Sequence, residues 1–277
     1  MWHKPGVRDI ERVAHDAAAR AGALLRARHR DRHAVTYKSE VDLVTAVDRE
    51  AEALIVAAIR DAFPNHAVVA EESAPTAAAS SPGYCWYVDP IDGTTNFAHA
   101  YPHFAVSIAV ECDGEALLGV VYDPMREEVF AAARGQGARL NGQPIGVSST
   151  TTLGRALLAT GFPYDRREQA PFYLAFFEAA MRRAQGVRRG GSAALDLCWV
   201  ACGRLDGFWE WKLKPWDTAA GRLIVAEAGG RASTFAGARH RLDGPETAAS
   251  NGAIHDELLA MLGEVRRELE AQGRTNV

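Results

Sequence analysis

Short apolar runs separated by turn residues crowd the first half of this chain, and that spacing restricts it to a sheet with helices laid against it. Residues 66–70 and 84–88 are two such runs, and each ends on an acid, Glu71 and Asp89. Residues 104–111 and 116–122 flank Asp113-Gly114, a hairpin pair, residues 129–133 follow, and Asn141-Gly142 marks another hairpin. Two helical patterns come first. Val7, Ile10, Val13, Ala17, Ala21, Leu24 and Leu25 recur at helical spacing over 7–28, and Ala51, Leu54, Ile55, Ala58 and Ile59 form a second face that Pro64 stops. Thr45 and Asp48 have capping-box spacing, with Asp in place of the usual Glu. Residues 37–43 between the helices read as extended.

Past about residue 156 the pattern changes to alternation. Residues 157–160, 207–211 and 247–250 are strand-like, and 169–184, 192–202, 217–228 and 256–272 are helical, with Gly229-Gly230 closing the third. A meander followed by alternation predicts an α/β (α+β) fold of layered helices and sheets in two halves, 1–150 and 151–277.

Composition adds mainly exclusions. The 277 residues are 48 % hydrophobic and 24 % charged, ordinary for a chain with a large core, and the net charge of −4 offers no general attraction to nucleic acid. No apolar run is long enough for a membrane span. The first residues lack an apolar signal core, so a cytoplasmic location is expected. Cys85, Cys112, Cys198 and Cys202 form no Cys-x-x-Cys pair and read as buried reduced thiols. His29 with His33, and His99 with His103, have metal-ligand spacing but no third ligand. Gly135-Gln-Gly137 lacks the helix and third glycine of a dinucleotide site. Trp199, Trp209 and Trp211 read as core, and Arg182-Arg183 and Arg188-Arg189 as helix-end or substrate-side charges.

The informative residues are carboxylates bordering apolar segments: Glu71, Asp89, Asp92 and Asp217. One such acid is ordinarily a cap or turn residue. Convergence of several is different, because two carboxylates about 4 Å apart repel by about 4 kcal/mol at an effective dielectric of about 20, so a cluster must take up protons or cations. Oxygen ligands without His or Cys select magnesium, calcium or manganese. The segment Asp89-Pro-Ile-Asp-Gly-Thr-Thr-Asn-Phe97 permits convergence, since Pro90 fixes one dihedral and Gly93 allows a tight turn. The N–H groups of Gly93, Thr94 and Thr95 then open a short helix whose start can hold phosphate.

At these residues the chain resembles the inositol monophosphatase family, over roughly residues 7–262. DPIDGTTNF at 89–97 is the most specific piece, followed by Trp216-Asp-Thr-Ala-Ala-Gly221 with Glu227-Ala-Gly-Gly230, and Glu71-Glu72-Ser73, where Ala70 replaces the usual preceding glycine. Lys38-Ser39 and the segment from Asp42 to Asp48 match further upstream, and the segments ending at Asp196 and Glu210 are similar to bacterial members. The resemblance implies a layered αβαβα sandwich of the sugar-phosphatase type and magnesium-dependent hydrolysis of a small phosphate monoester. It implies that Glu71, Asp89 and the carbonyl of Ile91 hold a first Mg2+, that Asp89, Asp92 and Asp217 hold a second, and that a third sits near Glu71 and Glu72 under the loop 74–83. The catalytic set is Glu71, Thr94 and Asp48, with a water oriented by Thr94 and Asp48 behind it. Gly93, Thr94 and Thr95 take the phosphate, with Asp92 beside them, while Gly191, Ser192, Ala193 and Glu210 contact the organic part. Inositol monophosphate is the first expectation, and histidinol phosphate, fructose 1,6-bisphosphate and adenosine 3′,5′-bisphosphate are alternatives. A homodimer and inhibition by lithium also follow from the resemblance, and some bacterial relatives serve as RNA or transcription accessory proteins. The Asp-x-Asp-Gly-Thr motif of haloacid-dehalogenase-like phosphatases is excluded by spacing, because Asp89 and Asp92 are three apart.

Overall fold

The structure is a computed structural model that describes residues 6–31, 35–37, 43–73 and 83–274. The chain opens with α1 (Val7–Arg28), β1 (Val35–Tyr37), β2 (Leu43–Thr45) and α2 (Ala46–Ala62). β1 and β2 pair antiparallel, while residues 38–42, expected to be extended, lie outside the described residues, as do His33 and most of the loop 74–83. Thr45 caps α2 as its spacing predicts: its Oγ1 accepts from Val47 N at 3.2 Å, and Asp48 Oδ2 accepts from Thr45 N at 2.8 Å. The helix ends at Phe63, just before Pro64.

A seven-stranded sheet follows in sequence order: β3 (Ala67–Ala70), β4 (Tyr84–Asp92), β5 (Ala105–Cys112), β6 (Glu115–Asp123), β7 (Glu128–Ala133), β8 (Ala138–Leu140) and β9 (Gln143–Pro144). The β3–β4 pair is parallel and every other pair antiparallel. The short helix α3 (Thr94–Ala98) sits between β4 and β5. The sequence pattern ends β4 at residue 88, but the strand runs to Asp92. It does so because β5 keeps pairing with it, Asp89 with Ser107 and Asp92 with Ala105, across a bulge between the two aspartates. Pro90, which has no N–H to give the ladder, falls inside that bulge.

The second sheet orders its strands β11-β10-β12-β14-β13, from β10 (Leu157–Thr160), β11 (Gly186–Arg188), β12 (Gly207–Trp211), β13 (Arg231–Ser233) and β14 (Glu246–Ser250). Its helices are α4 (Arg166–Arg183), α5 (Ala193–Ala201), α6 (Pro215–Glu227) and α7 (His255–Ala271). α6 starts two residues earlier than its apolar pattern, with Pro215 at the first turn, where its missing N–H costs nothing.

Three apolar clusters define the layers. α1 and α2 pack Ile10, Leu25, Ile55 and Ile59 on one face of the large sheet. α5 and α6 fill the space between the sheets, with Leu195, Leu197, Ile224 and Val225 touching strands of both. α4 and α7 cover the outer face of the small sheet, packing Phe176, Leu258 and Leu262 with Trp209 of β12. The result is the expected α–β–α–β–α stack. Gly119 lets α6 lie flush on β6: a Cβ there would stand 2.8 Å from the Ala220 carbonyl oxygen.

Several side chains differ from expectation. Trp209 and Trp211 are core, but Trp199 is only half-buried, and the guanidinium groups of Arg126 and Arg204 lie 5.1 and 5.9 Å from its ring centre. Cys85 and Cys198 are buried and Cys112 and Cys202 half-buried, all four as free thiols. The N–H groups of Gly135 and Gly137 are held by the Glu227 carboxylate at 2.8 and 2.9 Å, so this turn is a structural clamp. Arg182 and Arg183 pair with Glu178 and Glu264. His99 is exposed while His103 is buried.

Candidate active site

The acids that end apolar segments do meet. Asp89, Asp92 and Asp217 each offer one oxygen, and these oxygens all lie within 4.8 Å of one another. Two elements bring them there. The β4 bulge presents Asp89 and Asp92, and the first turn of α6 presents Asp217, whose Oδ2 accepts from the Lys214 N–H at 2.7 Å. Glu71 follows β3, its N–H bonded to the Val88 carbonyl, and its side chain is near enough to Asp89 to raise that carboxyl. Next to it, Glu72 N donates to Glu52 of α2 at 2.6 Å.

Each aspartate is aimed by a second bond. Asp89 Oδ1 accepts from Ile91 N at 2.9 Å. Asp92 Oδ2 accepts from Ser192 Oγ at 2.5 Å and from Ala194 N at 2.7 Å, so the start of α5 grips this oxygen. Ser192 also caps α5 and does not line the cavity, whereas Gly191 and Ala193 do.

Gly93 turns the chain into α3 at φ +102°, a conformation natural to glycine, and a Cβ there would press on the Gly191 and His103 carbonyls at 3.1 and 3.2 Å. The first N–H groups of α3 have no partner within the helix. Thr94 Oγ1 lies 3.0 Å from the Ile91 carbonyl and 3.1 Å from Asp48 Oδ1, and Asp48 is in turn fixed by Thr45. Asn96, quoted in the motif but given no role by sequence, donates to the carbonyls of His103 at 2.7 Å and Gly190 at 3.0 Å. It straps the 190–191 turn to the turn beside the acids.

A cavity of about 620 Å³ joins these groups. Its floor carries Glu71, Asp89, Asp92 and Asp217, its walls Glu210 of β12 and Asp196 of α5, and its rim Arg166, Arg189 and Lys214. Asp196 was not foreseen; the available signal was a lone acid in the otherwise apolar stretch AALDLCWVA.

A model of the inositol monophosphatase family matches residues 7–267. The chain belongs to that family. It is similar to the inositol-1-monophosphatase of Synechocystis sp., with 49 % identity over 217 residues, 78 % of this chain and 75 % of that protein. It is also similar to the Nus factor SuhB of Escherichia coli, with 44 % identity over 93 % of this chain and 96 % of that one. The solved inositol monophosphatase of Anabaena (Nostoc) sp. superposes with a TM-score of 0.85 at 42 % identity, covering 93 % of this chain and 96 % of the other.

The electrostatics of this family phosphatase suit a cation. Burial, then the charges of Glu71, Asp92 and Asp217, hold the Asp89 carboxyl well above its ordinary range. Asp217 is raised by burial and by Asp92. Asp92 is pushed up by burial to about 6, against the pull of Ser192 and the α5 N–H groups. Burial also lifts Glu210 to about 8 and raises Asp48 and Asp196, with Arg189 opposing at Glu210 and Asp196. Clustered carboxylates that resist ionisation without a counter-charge, and carry no nitrogen or sulfur among them, fit hard divalent cations.

Proposed function

We propose that this chain hydrolyses a small phosphorylated polyol, inositol monophosphate first, with two Mg2+ ions and a looser third. The convergence of Asp89, Asp92 and Asp217 beside the start of α3 carries the reading, and the name of the Synechocystis relative supports the substrate. Glu71, Asp89 and the Ile91 carbonyl would hold one ion, and Asp89, Asp92 and Asp217 another. Bound there, the ions would supply Lewis-acid neutralisation of phosphate charge and lower the pKa of water.

The chain's own groups do the rest. Thr94 has one hydroxyl proton and two acceptors in reach, so while it donates to Asp48 or Ile91 its lone pairs can accept from, and so orient, an attacking water. Asp48 fixes that hydroxyl. Gly93, Thr94 and Thr95 offer backbone N–H groups to the phosphate. Gly191, Ala193 and Glu210 face the organic part, and Ser192 acts through Asp92. The test is phosphate release from inositol 1-phosphate, histidinol phosphate, fructose 1,6-bisphosphate and adenosine 3′,5′-bisphosphate, with magnesium, with chelator and with lithium. Magnesium-dependent, lithium-suppressed release fastest from inositol phosphate is expected. No release from any of them, with the protein folded, overturns the reading.

The similarity to Nus factor SuhB over nearly the whole chain favours a second reading, an accessory role in transcription that retains this site. Binding to RNA or a transcription complex by an Asp92→Asn protein would separate that role from hydrolysis. A homodimer acting in the cytoplasm belongs to the same proposal, and light scattering in solution checks the dimer.

A further inference from the structure

Asp196 is the one acidic residue of α5, and it is 2 % exposed. It lines the cavity, yet its carboxylate has no hydrogen-bond partner among the described residues. The donors nearest in sequence are committed elsewhere, since Ser192 Oγ and Ala194 N both go to Asp92. Glu210, 8 % exposed on the same cavity, also has no side-chain hydrogen bond among the described residues. Arg189 stands near both carboxylates but forms an ion pair with neither. A buried carboxylate without donors is costly, and a cavity wall with two of them is matched to a ligand that brings donors.

We propose that Asp196 is a second polyol-reading carboxylate, which together with Glu210 receives the hydroxyl groups of the substrate's carbon skeleton. The site then selects polyhydroxylated phosphate monoesters over plain alkyl ones. The inference rests on the hydrolytic reading above and adds the residue that sets its selectivity. A structural role is the competing account: the position a Cβ of Gly190 would occupy lies 2.6 Å from His103 Nε2, itself unpartnered, and 3.4 Å from Asp196 Oδ1. A tie between Asp196 and His103 that merely shapes the 190–191 turn would affect every substrate alike.

The test compares myo-inositol 1-phosphate with cyclohexyl phosphate, the same ring without the other hydroxyls. The ratio of kcat/KM for the two cancels any general loss of activity. Wild type is expected to favour the inositol ester, and Asp196→Ala to lower the ratio at least about tenfold, because hydrogen bonding to the ring hydroxyls is lost for one substrate only. Asp196→Asn, which keeps an acceptor oxygen, lowers it less and guards against a folding defect in the alanine variant. An unchanged ratio in Asp196→Ala overturns the proposal in favour of the structural role. Calorimetric binding of the same two esters with calcium in place of magnesium reads the subsite independently of turnover. If wild type releases no phosphate, the hydrolytic reading fails, and a binding preference for inositol phosphate that Asp196→Ala abolishes still supports the subsite. Equal affinities, or no binding of either ester, overturn it.

Discussion

Asp92 carries two duties. Its Oδ2 is held by Ser192 and Ala194, and its carboxylate also joins Asp89 and Asp217 in the acid cluster. Asp92→Asn keeps an acceptor for α5 but removes a ligand charge, so turnover should fall by at least about 100-fold, beyond the usual cost of losing a supporting partner. Its melting temperature should not fall, since a repelling buried charge is gone; near-normal initial rates would count against the site. Thr94→Ala deletes the hydroxyl that Asp48 and Ile91 hold in place. It should lower kcat more than it raises KM, because in the proposed reaction that hydroxyl would orient the attacking water rather than hold the phosphate ester. Steady-state kinetics decide, and a change confined to KM would refute the role.

Helix α6 shows how an element delivers a ligand. Its first turn carries Asp217, its middle lies against β6 at Gly119, and its last residue, Glu227, clamps the turn between β7 and β8. Gly119→Ala places a methyl 2.8 Å from the Ala220 carbonyl, where only backbone movement gives relief. A loss of about 1–3 kcal/mol is expected from such overpacking. The displaced helix takes Asp217 with it, so the concentration of Mg2+ needed for half-maximal activity should rise as well. Denaturant melts and metal titrations measure the two effects, and a lower stability with unchanged metal dependence would mean that α6 tilts without moving its first turn.

At the scale of the whole molecule, the small sheet and its outer helices are locked by His255. It is fully buried, its ring nitrogens 2.9 Å from Ser233 Oγ and 2.8 Å from Ser250 Oγ, linking α7 to β13 and β14. Burial, then Arg231, pushes its pKa down to about 4. The unfolded chain takes up a proton near pH 6.5, so this histidine's contribution is complete above that value and is lost as pH falls toward about 4. His255→Gln should melt lower at pH 7 yet lose less stability than wild type between pH 7 and pH 5. Parallel pH profiles for the two proteins would show that the acid sensitivity originates elsewhere.

By itself the sequence determined the long helices, the strands of the meander and the candidate acids Asp89, Asp92 and Asp217, but not the short strands β11 and β13. Apolar periodicity, paired turn residues and the spacing of Asp89, Asp92 and Gly93 are local properties, so 7–28, the capping box at Thr45 and the hairpins at Asp113-Gly114 and Asn141-Gly142 were legible. The last residues of β4 were not, because what holds Asp89 to Asp92 in a strand is pairing with β5 and not the apolar run itself. Asp196 was quoted in a family-like segment but given no role, since a lone acid in a helix is uninformative until its neighbours in space are known. Ser192 looked like a substrate contact, and only the packing of α5 against the β4 bulge shows its hydroxyl spent on Asp92. The cluster itself needed the β4 bulge and the first turn of α6, more than a hundred residues apart in the chain, to close on one point. Sequence names the carboxylates; the burial that sets their protonation and the donors that aim them exist only once both sheets enclose α5 and α6.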